Sequence, residues 1–145
     1  MKTLIRLLVA VASVAALIAP PAQAADAKAS DGRYKVVFQV SDNDPAKWNL
    51  ALNNMRNLQQ DLGRDNVQIE LVAYGPGLNM LKLESPAAGR IAEALASGAG
   101  IVACENTMTN TKTTKAEILP NVGYVKAGVV ELVDKQRQGW AYIRP

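Results

Sequence analysis

Apolar, β-branched runs alternate with segments of helical spacing through most of this sequence, and that alternation restricts the fold more than any other feature. The first run, Tyr34 to Ser41 (YKVVFQVS), is bounded by turn residues and reads as a buried strand. Asp44 then offers a capping oxygen, and Pro45 the preset φ of a first helical residue, where a missing N–H costs nothing. Trp48, Ala51, Leu52, Met55, Leu58 and Leu62 follow at three- and four-residue steps, which predicts one apolar helical face ending at Gly63. Val67 to Tyr74 (VQIELVAY) is a second strand, broken by Gly75-Pro76-Gly77. The next segment, LNMLKLE, reads equally as a short strand or a loop. Ser85-Pro86 repeats the cap-plus-proline start for a helix with Ala88, Ile91, Ala92 and Leu95 on one face, up to Gly98. Ala99 to Cys104 (AGIVAC) is short and wholly apolar, the kind of strand expected at the centre of a parallel sheet.

The remainder is less regular. ENTMTNTKTTKAEILP is polar and threonine-rich, so any helix in it is expected to be weak. Thr114 and Glu117 have the spacing of a capping box, and Pro120 ends whatever they start. Val125 to Gln138 reads as a helix with Lys135 and Arg137 in its last turn; Gly139 stops it, and Trp140 to Ile143 form a last strand. The order β-α-β-α-β-(α)-α-β predicts an α/β domain with a mostly parallel sheet and helices on both faces.

The N-terminus stands outside that pattern. Lys2 and Arg6 precede an apolar run from Leu7 to Ala19, followed by Pro20-Pro21 and Ala22-Gln23-Ala24. A basic start, an apolar core and small residues at −3 and −1 are the three parts of a secretory signal, cleaved after Ala24. The run is short for a membrane span. The expected organisation is therefore a signal peptide over 1–24, a polar lead-in over 25–33 and one domain over 34–145. A periplasmic location follows from it, with no stable membrane span after cleavage. Sixteen basic and thirteen acidic residues make the precursor basic, but removing Lys2 and Arg6 leaves fourteen against thirteen. No basic cluster with interleaved aromatics remains, which disfavours a nucleic-acid partner.

Residue counts narrow the chemistry further. The chain has no histidine and one cysteine, Cys104. Serine–histidine and cysteine–histidine catalysis and histidine-containing metal sites are thereby excluded within one chain, and no intramolecular disulfide can form. Ligands of open α/β sheets collect beyond the carboxyl ends of the strands. Three segments of this chain should meet there: Ser41 to Pro45, with Asp42 and Asn43; Tyr74 to Gly77, with Gly75, Pro76 and Gly77; and Cys104 to Met108, with Glu105 and Asn106. Cys104 then ends its strand where a thiol is reachable, near backbone N–H groups that lower a thiol pKa, while the neighbouring Glu105 carboxylate opposes ionisation. Lys82, Arg90, Lys112 and Lys115 are cations that could compensate. A small buried apolar residue is the other reading of Cys104.

Four stretches together resemble the DsrE/DsrF-like (YchN-like) family, in particular its small branch with an exported precursor. They are KVVFQVSDNDPAKWNLALNNMRNL, IELVAYGPGLNML, SPAAGRIAEALASGAGIVACENTM and LPNVGYVKAGVVELVDKQRQGWAYIRP. The resemblance implies a three-layer α/β/α sandwich assembled as a homo-trimer or homo-hexamer, with no metal and no organic cofactor. It also implies that a cysteine ending a central strand, here Cys104, carries sulfur as a persulfide and passes it to a partner thiol. The better-understood relay members are cytoplasmic, whereas this chain carries an export pattern.

Three functions are consistent with these features. In one, Cys104 is a sulfur acceptor or redox thiol whose hydrogen bonding is shaped by Glu105 and Asn106, with a sulfur donor and an acceptor thiol as partners. In a second, Cys104 is inert and a rim of Asp42, Asn43, Gly75 to Gly77 and Asn106 recognises a small ligand or partner. A cysteine forming intersubunit or mixed disulfides is a third.

Overall fold

The computed structural model describes residues 32–145. The leader expected over 1–24, and all but the end of the lead-in, lie outside the described residues. Five strands form one sheet: β1 (Tyr34–Val40), β2 (Val67–Ala73), β3 (Gly100–Cys104), β4 (Gly123–Val125) and β5 (Ala141–Ile143). Their order is β4-β3-β2-β1-β5, and every adjacent pair is parallel. Helices α1 (Pro45–Leu62), α2 (Ala88–Ala96), α3 (Glu105–Thr111) and α4 (Gly128–Arg137) connect them in turn. The alternation read from the sequence therefore holds, with one more strand than it showed.

Register sorts the side chains onto two faces. Phe38, Leu71 and Ile101 sit side by side on β1, β2 and β3 and, with Met55 of α1 and Ile91 of α2, are at most 2% exposed. Each such burial stabilises the fold by roughly 1.5–3 kcal/mol. Asp44 caps α1 as expected, accepting the Ala46 N–H at 2.9 Å. The opposite face carries Val37 and Val72, covered by Leu132 of α4 and flanked by Tyr74, Val102 and Trp140. At the base of α4 the Lys135 ammonium lies 2.8 Å from Glu70 Oε2, 3.4 Å from Glu131 and over the Trp140 ring. Burial pushes the Glu70 carboxyl up despite that ammonium.

Three local expectations are corrected, and the bracketed helix after the third strand is present. LNMLKLE is neither strand nor loop: Gly75–Leu81 form a 3₁₀ helix, and only Lys82 makes an isolated bridge, to Ile118. Helix α2 begins at Ala88, because the Ser85 hydroxyl caps a preceding turn at the Ala87 N–H. A helix does form at Glu105, where the Thr109 and Thr111 hydroxyls bond back to the Glu105 and Thr107 carbonyls at 3.0 and 2.9 Å. Val125 belongs to β4, not to a helix; pairing of Gly123–Val125 with Val102–Cys104 overrides the local helical pattern, and α4 starts at Gly128. The capping box at Thr114 and Glu117 is present and opens a 3₁₀ turn.

Candidate functional site

Cys104 is both the last residue of β3 and the N-cap of α3. Its Sγ accepts the Thr107 N–H at 3.4 Å, from the first turn of α3, and the Gly128 N–H at 3.3 Å, from the first residue of α4. The thiol thus faces the starts of two helices, where orphan N–H groups and the helix dipole favour negative charge. Two close approaches fix this arrangement. A Cβ on Gly128 would lie 2.9 Å from the Tyr74 Cβ, so α4 approaches the end of β2 this closely only with glycine at its start. The Asn106 N–H donates to the Lys126 carbonyl at 3.1 Å, tying α3 to the segment that leads into α4.

Thr107 links the cysteine to the loop after β2. Its hydroxyl accepts the Gly75 N–H at 2.9 Å and, beside the Cys104 sulfur, favours the thiolate. Burial raises the thiol pKa, but the Thr107 hydroxyl and the N–H groups of Gly128 and Thr107 outweigh it, so Cys104 ionises below the ordinary thiol value. All of that help is neutral. The cations considered from the sequence are elsewhere: Lys115 pairs with Glu105 at 3.3 Å, and Arg90 bonds Asn49 and Asn53 on α1.

The expected rim is only partly assembled. Gly75 and Gly77 bridge the strands, since Gly75 reaches Thr107 while a Cβ on Gly77 would meet the Val40 carbonyl at 2.3 Å. Pro76 sets the first turn of that 3₁₀ segment. Asp42 and Asn43 do not join the cysteine. They follow β1, which β2 separates from β3 by about 10 Å of sheet, and Asp42 is held by Lys47 and Arg144 on the β5 side. Cys104 itself is 4% exposed, against the expectation of a reachable thiol, although Asn106 and Lys126 beside it are exposed. Thr107 and Gly128 were not singled out in the sequence. No sequence signal marks Thr107, since cysteine is not among the residues that announce an N-cap; Gly128 lies inside the helix expected from Val125.

A family profile matches residues 34–145 and is that of the DsrE/DsrF-like family. The chain belongs to the DsrE/DsrF-like family. Among solved structures, this DsrE/DsrF-like chain is similar to MTH1491 from Methanobacterium thermoautotrophicum, a protein of unknown function, with 38% identity and a TM-score of 0.74. The match covers 77% of this chain and 99% of the other. BT1422 from Bacteroides thetaiotaomicron (17% identity, TM-score 0.62, 77% and 94% covered) and the ychN protein from E. coli (11%, 0.58, 78% and 99%) share the fold. No curated protein matches the sequence.

The thiol's environment yields a direct test. Thr107→Val keeps the shape but removes the hydroxyl proton, and should move the Cys104 thiolate absorbance transition to higher pH; an unchanged midpoint would show that the hydroxyl does not support the thiolate. Linkage gives the matching stability effect. A depressed folded pKa contributes stability that is present above the unfolded thiol pKa and lost as pH falls through the folded value. Stability should therefore rise with pH across that window, and Cys104→Ala should abolish the rise.

Proposed function

We propose that this DsrE/DsrF-like protein is a sulfur carrier that uses Cys104 as a persulfide acceptor in the periplasm, after removal of residues 1–24. The observation that carries the reading is the convergence of N–H groups from the starts of α3 and α4 on one sulfur whose pKa is lowered. The Cys104 thiolate attacks the sulfane sulfur of a small donor such as thiosulfate, forming a Cys–S–S bond while sulfite leaves with the electron pair. An acceptor thiolate then attacks the outer sulfur and Cys104 leaves as thiolate, so no external oxidant is consumed. Glu105, held by Lys115, and Asn106, bonded to Lys126, position the first turn of α3. The active form is a homo-oligomer; in support, Val129, Val130 and Val133 on the outer side of α4 are 57%, 53% and 49% exposed.

Incubation with thiosulfate followed by intact mass measurement tests this. A gain of about 32 Da per protomer, one sulfur held as a persulfide, is expected and should be absent in Cys104→Ala. Native mass measurement of the same sample gives the assembly. If Cys104 takes no sulfur and alkylates only after unfolding, the carrier reading fails. The burial of Cys104 favours a second reading, a binding module with a structural cysteine. Undiminished biological activity of an intact Cys104→Ala oligomer would establish that one.

A further inference from the structure

On the sheet face opposite the Cys104 sulfur, residues of α1, α2 and the turns that follow them line a cleft of about 390 Å³, within the range of small-molecule pockets, about 300–1,000 Å³. Its floor is apolar: Leu52, Met55 and Ala99 line it and are 2–5% exposed from solvent. Its walls carry three guanidinium groups, Arg56, Arg64 and Arg90, against one carboxylate, Glu93. Arg90 is anchored by Asn49 and Asn53 at 2.6 and 2.7 Å. The Arg56 and Arg64 side chains form no hydrogen bond or ion pair with any described residue. Both side chains are exposed, so their charge is open to a ligand. Two unpaired guanidinium groups over an apolar floor match a ligand with an apolar body and an anionic end, which planar guanidinium binds in bidentate fashion.

We infer that the α1–α2 cleft binds a small amphipathic organic anion, its apolar body on Leu52, Met55 and Ala99 and its anionic group at Arg56 and Arg64. The site is independent of sulfur chemistry, because the sheet lies between it and Cys104. It adds a ligand site to the protein whether or not the thiol carries sulfur.

Decanoate is the probe, titrated into the oligomer by calorimetry and located by amide chemical shifts. Saturable binding is expected, with shifts in α1 and α2, at least tenfold tighter than for decanol, which lacks the charge, or acetate, which lacks the body. Arg56→Gln with Arg64→Gln should weaken it at least tenfold, the loss of charge-assisted hydrogen bonds. Ala94→Leu, on the cleft wall, should block it without changing charge. The far-UV circular dichroism spectrum and native mass of each variant report that the fold and assembly are intact and should not change. No saturable binding, equal affinity for decanol, or undiminished binding in the double arginine variant would overturn the inference. So would arginine-dependent sedimentation with phosphatidylglycerol vesicles in the absence of decanoate binding, which would make the face a membrane contact.

Discussion

Gly77→Ala should leave little or no folded protein. An added Cβ would lie 2.3 Å from the Val40 carbonyl oxygen, 2.7 Å from its carbon and 2.9 Å from the Ser41 Cα. All three are backbone atoms at the end of β1, in the ladder with β2, so no side chain can swing aside. Overpacking usually costs about 1–3 kcal/mol and more where the neighbours are rigid. Here at least about 4 kcal/mol is expected, a large part of the stability of a domain this size. Urea unfolding measures it. Gly89→Ala is the control: no atom lies within 4 Å of the added Cβ, and the position is helical. There alanine should be neutral or stabilise by up to about 1 kcal/mol. A Gly77→Ala midpoint close to that of Gly89→Ala would contradict the close packing of the Gly75–Leu81 turn on β1.

Gly128→Ala should separate thiol chemistry from folding. Its Cβ meets the Tyr74 Cβ at 2.9 Å and the ring at 3.2 Å, contacts that a small displacement of α4 or the ring relieves. The displacement carries the Gly128 N–H away from the Cys104 sulfur, 3.3 Å distant. A hydrogen bond to a charged group contributes about 1.5–3 kcal/mol, so the thiolate fraction near neutral pH should fall about tenfold or more. The domain should stay folded, at a cost of about 1–3 kcal/mol. Comparing the thiolate absorbance transition with the urea midpoint separates the two effects. A variant that unfolds more easily yet keeps the wild-type thiol transition would show that α4 does not support the sulfur.

Sequence reading reached the architecture because burial patterns in β1, β2, β3 and α1 are local. Val67, Ile69, Leu71 and Ala73 alternate, Trp48 to Met55 repeat at helical steps, and Asp44-Pro45 marks a helix start in any context. It failed where non-local contacts decide. Gly123–Val125 is a strand because β3 pairs with it, and nothing in those three residues announces it. The same error hid Gly128. Cys104 was identified by its place at the end of an apolar strand, but its burial depends on α4 returning over it, a contact between residues 24 positions apart. Asp42 and Asn43 were grouped with the cysteine by the shared edge alone; the order of strands along that edge was not legible, and it puts β2 between them.

That strand order also bears on how the domain is assembled. β1 pairs with β2 across about thirty residues, Tyr34 with Val67, but its other edge waits for a partner about a hundred residues later, Val36 with Ala141. Contacts of such separation carry a larger loop-closure cost and form late. Until α4 has crossed the sheet and delivered Ala141–Ile143, the buried strand β1 has an unpaired edge, a template for pairing with another chain. Docking of that short strand thus closes the edge of β1 and guards the domain against pairing with another chain.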